Sequence, residues 1–273
     1  MTIRQMRWSI RKSMMLFMVG FLVAIPLKSV AQTAEPAMDS KANMLFQEMA
    51  EHLKSSQSFS FDAEITYDEV HLTDQKLQFG AIASYAVRRP NLVQANYQGD
   101  RRQVSFFYDG INFSMLEVNK NLYGIFKAAA NIDGLVDQIQ DDYGFSLPMG
   151  DLLSTQIYPM VMQNALSSRY VGRSDIRGVS CHHLAFTGES RDLQIWISER
   201  RPPVPCKFIV TYKDEPTAPQ YTAIFANWDF QERSANDPRF RFSIPPNAQQ
   251  IDVLPGSRRL NSGAMNRPTG ETP

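Results

Sequence analysis

The chain reads as a β-dominated α+β protein, and three features of its pattern say so. Strict apolar–polar alternation runs through residues 58–118 and again through residues 168–244, and the stretch between them has helical spacing with no strand–helix–strand repetition. The expected architecture is about eleven antiparallel strands, one leading helix and a central helical pair. That much antiparallel sheet in one chain must curl toward a barrel or split into two layers.

The N-terminus carries Arg4, Arg7, Arg11 and Lys12, an apolar run from Met14 to Leu27, and then Lys28-Ser29-Val30-Ala31-Gln32. This is a basic region, a hydrophobic region and a small-x-small cleavage site, so residues 1–31 read as an exported protein's signal peptide. The run falls short of the about 20 apolar residues a spanning helix needs. No cysteine stands at the cleavage site to take a lipid anchor.

The whole chain balances 28 Lys+Arg against 28 Asp+Glu. Residues 1–31 hold five of the basic residues and none of the acidic ones, so the remainder carries 23 against 28, a net of −5. That balance argues against a nucleic-acid partner, which needs a clustered basic excess, and against stable adsorption to or insertion into an anionic membrane.

Residues 32–40 read as a flexible leader ending in Asp39 and Ser40, either of which can cap a helix. Met44, Leu45, Met49 and Leu53 then recur at helical spacing over 41–55. From Ser58 the period becomes two: Phe59, Phe61, Ala63, Ile65 and Tyr67 alternate with polar residues, as expected of a strand with one dry and one wet face. Further strands are expected at Leu77–Val87, Leu92–Tyr97, Gln103–Tyr108 and Ile111–Val118. Arg88-Arg89-Pro90-Asn91, Gly99-Asp100 and Asp109-Gly110 turn the chain between them.

Helical spacing returns at Asp133–Tyr143 and at Met149–Asn164, where Pro148 suits the first turn. Leu152, Leu153, Ile157, Met160 and Val161 form the apolar face of that second helix. Six strands follow: Ser168–Ser174, Val179–Thr187, Leu193–Ser198, Lys207–Tyr212, Tyr221–Phe230 and Arg239–Ile244, the last ended by Pro245-Pro246. One domain spans 41–254, and residues 255–273 read as a disordered tail.

Cys181 and Cys206 are the two cysteines, and in an oxidising compartment an even number suggests a bridge. In a plain meander their strands are second neighbours, about 9–10 Å apart, beyond a bridge's reach. A bulge within Pro202-Pro203-Val204-Pro205 would reverse that conclusion. A hydrolase built on Cys181 with His182 or His183 is disfavoured, because neighbours in a strand point to opposite faces and no oxyanion-binding glycine cluster accompanies them. His52, His71, His182 and His183 lack metal-ligand spacing, and Asp133, Asp137, Asp141 and Asp142 read as a solvated helix face. No cofactor, metal or catalytic residue is expected.

Several local sequences, in this order, carry a likeness: Tyr108-Asp109-Gly110; His183-Leu184-Ala185-Phe186; Gln194-Ile195-Trp196-Ile197 with Pro203-Val204-Pro205 and Ile209-Val210-Thr211-Tyr212; and Trp228 through Phe240-Arg241-Phe242 to Pro245-Pro246. With them the chain resembles an uncharacterised family of predicted bacterial periplasmic proteins that share the fold of the Lol-system lipoprotein carriers. The resemblance covers roughly Lys41 to Val253. It implies an unclosed half-barrel, a strongly curved antiparallel sheet whose concave side is capped by helices over a cavity that accepts acyl chains. Phe59, Phe61, Ile65, Phe79, Tyr85 and Phe106 on the strands, with Leu153, Ile157 and Met160 on the lid, are then the candidate lining. A filled core has the same pattern of hydrophobic faces.

The implied function is a non-enzymatic periplasmic binder or carrier of a lipid or of an acylated lipoprotein. A protein-interaction or envelope-sensor module of the same fold, with an envelope protein as partner, is the alternative. N-terminal sequencing of the exported protein is expected to begin at Gln32, and a chain still starting at Met1 would overturn the cleavage assignment.

Overall fold

The computed structural model describes residues 37–71, 73–145 and 147–256. Residues 1–31, expected to be a signal peptide, residues 32–36 of the expected leader and residues 257–273 of the expected tail lie outside the described residues. The last leader residues are held in place. Ser168 donates its amide to the Ala37 carbonyl at 3.2 Å, and the Asp39 amide donates to the Ser168 hydroxyl at 2.9 Å. Asp39 caps the first helix, α1 (Ser40–Ser55), by accepting from the amides of Lys41 and Ala42. The buried stripe of α1 is Ala42, Phe46, Met49, Ala50 and Leu53. Met44, expected on that stripe, is 51% exposed because the stripe is centred on Phe46.

Six strands follow: β1 (Ser58–Val70), β2 (Lys76–Arg88), β3 (Leu92–Gly99), β4 (Gln103–Tyr108), β5 (Asn112–Glu117) and β6 (Leu122–Lys127). Then come α2 (Ile132–Tyr143), α3 (Gly150–Leu153) and α4 (Ile157–Asn164). The second half contains β7 (Ala165–Ile176), β8 (Val179–Gly188), β9 (Arg191–Ser198), β10 (Pro205–Tyr212), β11 (Gln220–Asp229) and β12 (Gln249–Gln250). All twelve form one sheet in the order β12-β6-β5-β4-β3-β2-β1-β11-β10-β9-β8-β7, which keeps two edges and so does not close.

This order consists of two antiparallel meanders joined where β1 pairs with β11, Ser60–Tyr67 against Tyr221–Asp229. The meanders leave β6 and β7 on opposite sides of the sheet. The connection over residues 128–164 therefore has to cross from one side to the other, and it carries α2, α3 and α4 over the apolar face as it goes. The lid is thus a consequence of strand order.

The structure departs from the expected elements at four places. Strand β6 was not expected, since Leu122-Tyr123-Gly124-Ile125 lacks clean alternation; Gly124 is required there because a Cβ would collide with the Val253 side chain. The expected strand at Arg239–Ile244 is instead a short helical turn, Pro238–Phe240, followed by an extended strap. Its alternating aromatics plug the back of the sheet: Phe240 packs with Ala86 and Leu92, and Phe242 lies 5.4 and 5.5 Å from the rings of Phe107 and Tyr123. Pro245-Pro246 does not end the sheet, because β12 adds a parallel pair on β6 and makes the sheet mixed. The expected helix over 149–164 is broken at Ser154–Gln156, and Pro148 lies before it in a loop leading to a left-handed Met149.

Cys181 and Cys206 are joined, with Cα atoms 7.0 Å apart across β9. The pairing register shifts between Pro205 and Lys207, so Cys206 is the extra residue of a bulge. That shift turns Cys206 away from Phe208 and Val210 to the face of Cys181, Trp196 and Ile209. The plain-meander geometry is therefore overturned by a bulge just after the proline run. Titration of the unfolded, unreduced chain is expected to find no thiol and, after reduction, two. Replacing both cysteines by Ser should lower unfolding free energy by about 3 kcal/mol in urea titration.

Candidate functional site

The lidded face has three zones along β1. At one end Phe59 and Phe61 join an aromatic stack: Phe61 lies 5.0 Å from Tyr85 and 4.6 Å from Trp228, which in turn stacks on Phe230 at 5.9 Å. The Trp228 indole N–H donates to the Pro205 carbonyl at 3.1 Å, which orients the ring. In the middle, Ala63, Ala81, Ala83 and Ala223 are buried around Ile65, with Phe225 opposite Ala63 and Phe208 opposite Ala223, while Ala95 stands opposite Tyr85 at the aromatic end. At the far end tyrosines take over: Tyr67 stands opposite Tyr221, and Tyr97, Tyr212 and Phe79 complete the mouth.

The candidate lining residues fall into separate groups. Phe59, Phe61 and Tyr85 share the aromatic end, and Ile65 lies in the alanine zone. Phe106 sits elsewhere, in a run of rings through Phe113 and Phe126 to Tyr143 on α2, with the Phe126–Tyr143 centroids 4.1 Å apart. Leu153 and Ile157 are buried under the lid. Phe79 is only half-buried, at the mouth, with the Arg101 guanidinium 5.2 Å over its ring. Met160 is half-buried too and lies outside the core, on which Ile157, Tyr158, Val161 and Met162 of α4 pack.

Three polar anchors hold the crossing segment to the strands. The Tyr108 hydroxyl donates to the Ala129 carbonyl at 2.5 Å and that of Tyr85 to the Pro148 carbonyl at 2.7 Å. Arg89, between β2 and β3, donates to the last carbonyls of two helices, Leu153 at 2.9 Å and Leu53 at 3.4 Å, where helix ends carry unpaired acceptors and partial negative charge. Burial lowers the pKa of its guanidinium, and the nearby Asp133 opposes that.

Burial raises the pKa of the Asp133 carboxyl, but hydrogen bonds from the Thr155 hydroxyl and amide and from the Ser154 hydroxyl, together with Arg89, outweigh burial and leave it below the ordinary value. This residue, expected on a solvated helix face, instead fastens the break between α3 and α4.

Burial also keeps the tyrosines protonated. Tyr108 is pushed up to about 12, and Tyr85, Tyr97 and Tyr221 are raised further. They are therefore neutral donors at any physiological pH. The Tyr221 hydroxyl is shielded from solvent and has no hydrogen-bond partner among the described residues. Asp151 at the mouth keeps contact with water yet is crowded by protein, which raises its pKa against the pull of Arg191. The Arg191 guanidinium lies 5.4 Å over the Tyr212 ring.

With both cysteines in the disulfide, Cys181 offers no thiolate. His182 faces the Tyr170 hydroxyl at 3.2 Å and Glu199, while His183 bonds Gln194 at 3.0 Å and stacks on Trp196. Among the described residues no group of three or more His, Cys, Asp or Glu could hold a metal. A groove of about 560 Å³ lies on the back of the sheet, between the strap and β5, lined by Ile111, Ser114, Ile125, Phe242 and Ile244. It is not on the face that the helices cover.

The mouth tyrosines, Trp228, Arg89 and Asp151 were not among the sequence candidates. Alternation places Tyr67 and Tyr221 on apolar faces, but their meeting depends on the β1–β11 pairing, which no local signal announces.

Residues 42–254 match a family described as predicted periplasmic protein (DUF2092). No curated protein matches the chain. Among solved structures the chain is similar to the lipoprotein LppX of Mycobacterium tuberculosis, at 14% identity over 72% of this chain and 100% of that one, with a TM-score of 0.47. LprF from Mycobacterium bovis is similar at 11% identity, over 75% and 99% of the two chains, with a TM-score of 0.45. A LolA superfamily protein from Nitrosomonas europaea matches at 11% identity over 71% and 94%, with a TM-score of 0.23.

The lid attachment is testable through Asp133. A carboxylate held below its unfolded value stabilises the fold at neutral pH, and that contribution is lost as pH falls through its folded value. Asp133→Asn is therefore expected to cost about 1–2 kcal/mol in urea unfolding at pH 7, with the gap to the unsubstituted protein closing below about pH 4.

Proposed function

The chain belongs to the family of predicted periplasmic proteins designated DUF2092, and on that premise we propose that it binds and carries an apolar ligand beneath α2–α4. The ligand is a lipid or the acyl part of a lipoprotein, and the protein works in the periplasm after removal of residues 1–31. The observation that carries this reading is the crossing segment: strand order lays helices over a sheet face whose centre is built from alanines between two aromatic ends.

An acyl chain sliding between that alanine zone and the lid gains about 0.8 kcal/mol per methylene removed from water. Entry requires part of the lid to lift. The loosest part is α4, in which Ile157 is the one buried residue, whereas α2 buries Ile132, Leu135 and Ile139. The polar anchors at Tyr85, Arg89 and Tyr108 hold the segment before α4 and leave α4 itself free of them. Among the described residues no helix is long and apolar enough to cross a membrane. No step of the proposed role requires catalysis, and the disulfide leaves no thiol nucleophile.

Native mass spectrometry of the protein purified from its own periplasm is expected to show a co-purifying lipid. Ala83→Leu, which fills the middle zone, should weaken uptake of a fluorescent fatty-acid probe at least tenfold while near-UV circular dichroism stays unchanged. A lipid-free protein that also ignores the probe would defeat the proposal.

A further inference from the structure

The mouth tyrosines ask for something that an acyl chain alone does not supply. Tyr221 points its hydroxyl into the lidded face, shielded from bulk water and unmet by any described residue, and a buried donor left so costs about as much as a lost hydrogen bond. Tyr67 stands directly opposite it on β1, and the Tyr97 phenol reaches from β3 to the neighbourhood of the Tyr67 hydroxyl. A phenol pair can spend at most one O–H on the other's oxygen and keeps the second O–H to donate elsewhere. At least two donors therefore remain at the level where the alanine zone gives way to the mouth.

We propose that the hydroxyls of Tyr221 and of the Tyr67–Tyr97 pair receive the two ester carbonyls of a diacyl ligand, so that the protein selects neutral glyceryl diesters over free fatty acids. This inference rests on the carrier reading and deepens it. With chains lying over the alanines toward Phe61, the ester groups of such a ligand sit at the tyrosines, and each carbonyl finds one donor. A fatty-acid carboxylate would need a cation instead. Arg191, beside Tyr212, already faces Asp151, Arg101 over the Phe79 ring is paired with Glu69 at 2.6 Å, and Arg102 near Tyr97 is offset by Asp100, so each of these mouth cations has an acidic neighbour without the ligand. Diacylglycerol lipids and the diacylglyceryl group of a lipoprotein share this diester chemistry.

The test uses the exported chain and displacement of diphenylhexatriene, a hydrocarbon probe without hydrogen-bonding groups. Dipalmitoylglycerol and a dipalmitoylglyceryl-cysteinyl peptide should each displace it at least fivefold more effectively than palmitate. Tyr221→Phe and Tyr67→Phe, which keep the rings, should each weaken the two diesters about five- to tenfold and leave probe affinity unchanged. Equal loss for both diesters supports recognition of the ester alone; a larger loss for the peptide supports it with the lipoprotein as source. Palmitate displacing as well as the diesters would overturn the diester site, as would diester affinity that neither variant changes or probe affinity falling in step. In each of those cases probe uptake by the unsubstituted chain leaves the carrier reading standing. A chain that takes up neither probe nor diester removes both.

Discussion

Everything on the lidded face depends on the pairing of β1 with β11. These strands lie more than 150 residues apart in the chain, yet loop-closure entropy grows only slowly with length, so the separation itself costs little. What the pairing must overcome is specificity, and its end shows how. Asn227 donates to Asp62 at 2.7 Å beside the bulge between Ser60 and Asp62, and Arg233 donates to Ser60 at 2.6 Å and Asp229 at 3.0 Å. On the opposite face Phe59, Phe61, Trp228 and Phe230 lock the same register by ring contact. A one-residue slip would turn every one of these rings to the wrong side.

Once that seam is made, curvature follows. On the inner side of a curved sheet the Cβ atoms converge, and large side chains at the centre would force the strands flat. Ala63, Ala81, Ala83 and Ala223 occupy that centre, while on the other face of β2, where Cβ atoms diverge, Ile82 stands 58% exposed. The small residues at that centre are therefore the ones that let the sheet bend while still packing against the crossing helices.

Much of this was legible in the sequence. Period-two alternation located ten of the strands, because a strand with one dry face writes its burial directly into residue order. Membership in a family of predicted periplasmic proteins was legible from short motifs kept in order, such as Gln194-Ile195-Trp196-Ile197. Phe240 and Phe242 misled, since a strap that pins alternate rings onto a surface has the same period as a strand. The bulge at Cys206 was invisible because it depends on register against β9, and register belongs to pairs of strands. The mouth was missed for the same reason: Tyr67 and Tyr221 become a site only across the seam, and their pattern alone reads as core.

The three zones give the face a direction. The Phe59–Trp228 end is closed by stacked rings and by Arg89, which fastens the ends of α1 and α3 above it, so opening there would expose a buried guanidinium's partners and break helix-end hydrogen bonds together. At the tyrosine end the cover is half-buried, and Asp151, Arg191 and Tyr212 already reach water. Opening that end removes little packing and uncovers groups that solvent can satisfy. For the carrier role proposed above, this asymmetry favours entry with the apolar end of a ligand leading toward Phe61 and its oxygens trailing at the tyrosines, and release by the same path.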